Sequence, residues 1–262
     1  MMSSTSILLF LLLGAVLRLE ALNVLTDPVL SALDPAIWAS LVAVGILVGA
    51  HARIGSTSAA IVMFGIALVS IRSSSSSAIA STLVVFGVAV TAIAAAAWLL
   101  VKDTADASEQ HVFVLGTVLL LGGTSASLSM SALFGGFLAG VGWRLAGGPA
   151  RDRLERDISY LQRPPIIMLL LVAGARFEPS IGSFYLAAAC VVVGSLTNLL
   201  FVYESDGWIG PSVIGIAAGL DAGQAWSAFP ESSATVLATV VMVSVGWELL
   251  AVLGKSREPV AA

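Results

Sequence analysis

The chain has 262 residues, 58% of them hydrophobic and only 11% charged, with a formal net charge of −4. A soluble domain carries roughly 25% charged residues, so a water-soluble globule around one core is excluded. No basic cluster is extensive enough to suggest nucleic acid.

Lipid is therefore the expected solvent and the lipid bilayer the first expected partner. A helix needs about 20 apolar residues to cross about 30 Å of hydrocarbon. The candidates in chain order are 5–22, 36–52, 56–72, 77–101, 110–127, 129–147, 164–178, 183–203, 208–228 and 232–253. Stretches such as Val84–Val101 are apolar on every face, which suits helices and not the alternating strands of a membrane barrel. The expected fold is all-α, a polytopic membrane helical bundle of about ten transmembrane segments. Several segments are short enough to be tilted, half or re-entrant helices. Residues 1–262 read as one transmembrane domain, with helices over 1–108 and 109–253 and a tail over 254–262.

No Lys or Arg precedes the first apolar run, so 5–22 is expected to be a retained span and not a cleaved signal. The loop 23–35 carries Asp27 and Asp34 and no cation. Ser73–Ser77 is a serine run that reads as an extracellular turn or as the unwound centre of a broken helix. Gly122–Ser127 and Leu128–Ala132 form the densest small and polar stretch. It leads into Gly135, Gly136, Ala139 and Gly140, a face suited to close helix packing. Such a break can also line a cavity.

The hinge 144–163 is the richest in arginine (Arg144, Arg151, Arg153, Arg156, Arg163) and is set on the cytoplasmic side. Alternating from it places nine of the 12 cationic residues inside and leaves Arg18, Arg72 and Arg176 outside, with both termini cytoplasmic. Within the hinge Leu154, Ile158 and Leu161 share one helical face, with Arg151, Asp152, Glu155 and Arg156 on the others. A short interfacial amphipathic helix, stopped by Pro164 and Pro165, is expected.

Cys190 is alone, so no intramolecular disulfide can form; its apolar surroundings predict a packed thiol. His51 and His111 lie far apart without ligand-like neighbours, and neither a metal nor a cofactor is expected. Ionisable residues inside spans are functional candidates, because each costs about 2.5–3.5 kcal/mol to insert. Asp221 is one, flanked by Gly219 and Gly223. Glu248 beside Trp247 suits the headgroup level. Asn198, next to Thr197, suits an interhelical hydrogen bond.

From Glu109 onward these pieces acquire an order. A span with a Ser/Gly-rich end leads to Ser131-Ala132-Leu133-Phe134-Gly135-Gly136-Phe137-Leu138-Ala139-Gly140. The basic hinge Arg151–Leu161 and then Leu171-Val172-Ala173-Gly174-Ala175-Arg176-Phe177-Glu178 follow. This order and spacing resembles the monovalent cation/proton antiporter superfamily of sodium/proton and potassium/proton exchangers. Gly215–Gly223 is similar to that family's glycine-bounded entry to its penultimate span, and Val243–Leu250 to its closing helix. The likeness spans 109–253.

The resemblance implies inverted repeats with broken helices crossing at the bilayer midplane, and a panel domain that often dimerises. It also implies midplane carboxylates that bind a cation or protons in competition. The chain departs from the family at Phe86–Ala94, where the acidic pair would fall and no carboxylate stands. It departs again at Leu196–Asn198, where a cationic residue would fall and none is present. The ion or substrate candidates are Asp221, Ser125, Ser127, Thr91 and Asn198. Cation/proton antiport is the expected activity, with a monovalent cation and the proton as ligands. The alternative is a non-transporting, antiporter-like subunit of a membrane complex. An enzyme is not expected, since no nucleophile or metal-protease motif stands in any span.

Overall fold

The structure, a computed structural model, describes residues 4–18, 26–51, 76–103, 107–146, 148, 152–154, 156–157, 163–188, 190, 211–225 and 230–255. Among the described residues all regular structure is helical. The helices are α1 (Ser4–Arg18), α2 (Asp27–Ala32), α3 (Asp34–His51), α4 (Ser76–Asp103), α5 (Ala107–Leu128), α6 (Ala132–Ala146), α7 (Arg163–Ala175), α8 (Pro211–Ala225) and α9 (Pro230–Lys255). A further helical stretch covers 181–188. The expected segment 56–72 and most of 183–203 lie outside the described residues.

Proline sets many of the helix starts. Pro28, Pro35, Pro164, Pro165, Pro211 and Pro230 all stand in first turns, where the missing N–H is no loss and φ is already helical. The loop expected over 23–35 is thereby corrected, because it contains α2. Asp27-Pro28 and Asp34-Pro35 each open a helix, and an acidic side chain there complements the helix dipole.

Among the described residues three helices are long and apolar enough to cross a membrane, by length and composition: the stretches Asp34–His51, Ile79–Lys102 and Glu109–Leu128. The apolar parts of α1, α6, α7 and α9 are shorter. Two compact units make up the chain, one of Met1–Leu30 with Leu169–Ala262, the other of Ser31–Met168. One division between them lies within α7.

In the second unit α3 is the centre, with twelve buried residues from Ile37 to Gly49. It meets α6 main chain to main chain. A methyl group at Gly45 would overlap the carbonyl oxygen of Leu133, and one at Gly49 that of Phe137. Reciprocally, Gly136 faces the carbonyl of Val42 and Gly140 that of Ile46. Numbers rise together on both helices, so α3 and α6 run parallel. Small residues at such crossings let backbones approach and gain dispersion along their whole length.

α4 runs parallel to α6 as well. Phe86 packs on Gly135 and stacks on Phe134, with ring centroids 6.1 Å apart. Eight residues on, Trp143 Nε1 donates to the carbonyl of Ala94 at 2.8 Å. His51 lies six residues past Gly45, and Ser76 lies ten before Phe86. At ~1.5 Å per helical residue, these two ends are about 24 Å apart along the bundle.

In the first unit α1 and α7 repeat the same contact. Gly14 faces the carbonyl of Leu171, and Gly174 faces that of Leu11, each carbonyl standing three residues before the partner's glycine, as in α3 and α6. Arg18 then closes the crossing. Its Nη1 donates to the Ala175 carbonyl at 2.8 Å, and its Nη2 lies 3.2 Å from Glu178 and 3.5 Å from Asp27. α8 packs on α9 through Gly215 and Gly219, which meet Val240 and Leu237.

Cys190 corrects the expectation of a packed thiol, for it is exposed. Its helical stretch buries Ser183 and Ala187 while Ile181, Phe184, Tyr185 and Leu186 are exposed. An apolar run is no guide to burial when lipid can be the solvent.

Gly136→Val should lower stability by about 1–3 kcal/mol or more, since the added carbons meet main chain that cannot step aside. Gly116, with nothing within 4 Å of an added carbon, should accept alanine with a gain of up to about 1 kcal/mol. Thermal unfolding of the detergent-solubilised chain checks both; equal midpoint shifts would contradict the packing.

Candidate functional site

Asp221 stands in α8 with 0% exposure. The turn that carries it is pressed against α9 by Gly219, whose added carbon would lie 3.3 Å from Leu237. Ile216, Ala217, Leu220 and Ala222 on α8, and Leu237, Ala238 and Val241 on α9, are buried around this pair. Ser244, 3% exposed, faces Gly215 from α9. The sequence thus folds a carboxylate into an apolar helix pair where ionisation is expensive. A carboxyl so placed calls for a proton, a hydrogen-bond donor or a positive counter-charge.

Ser125 is likewise fully buried, at the end of α5. The break after it is a Schellman turn: Met130 N donates to the Ser125 carbonyl at 2.8 Å and Ser129 N to the Ala126 carbonyl at 3.1 Å. Ser129 takes the left-handed conformation such a turn requires, with φ 50°. Ser131 then caps α6, its Oγ accepting from Phe134 N at 2.9 Å. The serine-rich sequence is thus spent on stopping one helix and starting the next. The Ser125 hydroxyl itself has no hydrogen-bond partner and would lie 3.2 Å from an added carbon at Gly135.

Thr91 and Ser127 sit on exposed faces, and both hydroxyls return to their own helices. Thr91 Oγ1 donates to the Gly87 carbonyl at 2.6 Å, and Ser127 Oγ to that of Thr124 at 2.9 Å. They are turned away from the buried Ser125. Asp221 belongs to the first unit and Ser125, Ser127 and Thr91 to the second. Asn198 lies outside the described residues, and so do the side chains of Trp247 and Glu248.

One polar group escaped sequence reasoning. Asp157, 5% exposed, lies in the described part of the hinge, where 152–154 and 156–157 are helical. Its Oδ2 accepts from the buried Gln110 Nε2 at 2.6 Å, and its Oδ1 lies 3.7 Å from His111 Nε2. His111 therefore does have a carboxylate neighbour, one that a separation of 46 positions in the sequence concealed. The signal was present in the helical period. Leu154, Asp157, Ile158 and Leu161 fall at i, i+3, i+4 and i+7, so Asp157 stands inside the apolar stripe. Leu154 is buried while Asp152 and Arg156 are exposed, as the amphipathic pattern requires.

Among the described residues no group of three or more His, Cys, Asp or Glu is placed to hold a metal ion. Comparison with protein-family models, curated proteins and solved structures finds no match to the chain.

Ser129→Val should lower stability by about 1–2 kcal/mol, since a β-branched residue is penalised at positive φ, whereas Ser129→Gly should hold or raise it. Circular-dichroism melts of the two variants decide the point; a harmless valine would contradict the left-handed turn.

Proposed function

We propose that the chain is a multi-pass membrane protein that exchanges a monovalent cation for a proton, with Asp221 as the carboxylate for which the two compete. The observation that carries this reading is the complete burial of Asp221 in an apolar helix pair. A carboxylate there is stable neutral or cation-paired and unstable bare. Loading one ligand therefore requires releasing the other, which is the essence of exchange.

The membrane part of the reading draws support from the helix directions. α3, α4 and α6 run parallel, so Lys102 and Arg144 share one end of the second unit. Cations gathered at one end agree with a cytoplasmic side. The reading keeps the ten-segment topology with both termini inside, of which the expected span 56–72 lies outside the described residues. The outward faces of α4 and α5 (Val84, Val88, Leu99, Val112, Leu119) are apolar and exposed, as a lipid boundary requires.

Reconstitution in proteoliposomes with a pH-sensitive dye tests the reading. Adding sodium or potassium should collapse an imposed proton gradient, and Asp221→Asn should slow that collapse at least about tenfold, equivalent to about 1.4 kcal/mol. An unaffected variant would remove Asp221 from the mechanism. A wild-type chain that exchanges neither ion would overturn the reading in favour of a non-transporting, antiporter-like subunit of a membrane complex.

A further inference from the structure

Asp157 is a buried carboxylate that cation exchange at Asp221 does not use. Its two partners differ in a telling way. Gln110, 7% exposed, is an uncharged amide that donates a short hydrogen bond of 2.6 Å. The His111 side chain is 53% exposed while that of Asp157 is 7% exposed. Water can therefore exchange a proton with the imidazole while the carboxylate it faces stays enclosed. Imidazole is the side chain whose ordinary titration falls between about pH 5 and 8.

The position of the cluster gives this pair a lever. Gln110 and His111 stand near the start of α5, where the helix dipole attracts an anion. Asp157 comes from the basic hinge and, with the buried Leu154, forms that segment's anchor on the bundle. Other charged or titratable groups carried at the same end are His51 on α3, Lys102 and Asp103 on α4, Glu109 on α5 and Arg144 on α6. The hinge adds Asp152, Arg153 and Arg156, and α7 begins with Arg163. Of these, His51 is accounted for locally, its Nδ1 lying 2.9 Å from the Leu47 carbonyl.

We infer that Gln110, His111 and Asp157 form a proton-operated latch that clamps the 152–157 segment onto α5. With His111 protonated, the imidazolium and the Asp157 carboxylate attract across the 3.7 Å contact, and the hinge is held by an ion pair and a hydrogen bond together. With His111 neutral, that attraction is lost while the Gln110 bond remains. The latch therefore tightens as pH falls and loosens as it rises.

Spin labels at Asp152→Cys and Leu119→Cys, both exposed positions, in a Cys190→Ser background of the full chain in detergent, report the hinge-to-α5 distance. Pulsed electron resonance should give a narrow distribution at about pH 5.5 and a broader one at about pH 8, on either side of the imidazole range. His111→Lys, charged throughout, should give the narrow distribution at both values. His111→Gln should give one unchanging distribution, while His51 remains present as an internal control. Identical wild-type distributions at the two pH values would overturn the latch, and so would a pH response that survives in His111→Gln.

Discussion

Where α3 crosses α6, no side chain separates the two backbones. Gly45, Gly49, Gly136 and Gly140 bring main-chain atoms of each helix against carbonyls of the other. Lipid tails are as apolar as leucine, so burying apolar side chains supplies little drive for helices to associate in a bilayer, whereas dense backbone contact does. The crossing fixes direction too, since the four contacts rise together along both helices. α4 inherits that direction through Phe86 and Trp143. The placement of Lys102, Arg144 and the arginine hinge at one end follows from this contact.

α1 and α7 use the same register of glycine against the carbonyl three residues before the partner's glycine. The device recurs in both compact units, and in each a polar interaction lies beside it. Arg18 fastens the end of α7 in one; the Ser125–Ser131 break turns the chain in the other. The hydroxyls of Thr91, Thr117 and Thr124 return to their own helices. That leaves few polar groups to serve a ligand. Asp157 and Asp221 are the buried carboxylates among the described residues. Their settings differ: an amide and an imidazole at a helix start for one, and an apolar helix pair for the other.

Much of the helix placement was legible in the sequence, because long apolar runs bounded by Pro, Ser and charge leave a helix few alternatives. The small-residue face at Gly135–Gly140 was legible as a packing surface, but its partner was not, since periodicity says which face packs and never against what. A faint cue did exist. Ser40, Gly45, Leu47 and Gly49 recur 91 positions later as Ser131, Gly136, Leu138 and Gly140, and the glycines of that repeat are those that touch. Exposure was the least legible property: Cys190 read as packed because the run around it is apolar, yet it is exposed. Of the candidate site residues, Asp221 was recognisable as a charge inside an apolar run. Asp157 was missed because a charged hinge makes one more carboxylate look solvated.

The account rests most heavily on lipid being the medium around the outward apolar faces. Nitroxide labels at Val88 and Leu115, which are exposed, and at Leu41, which is fully buried, can be compared in liposomes for collision with oxygen and with a water-soluble nickel chelate. Lipid contact predicts frequent oxygen collisions and few with nickel at Val88 and Leu115, and few of either at Leu41. Frequent nickel collisions at Val88 and Leu115 would place those faces in water and contradict the account.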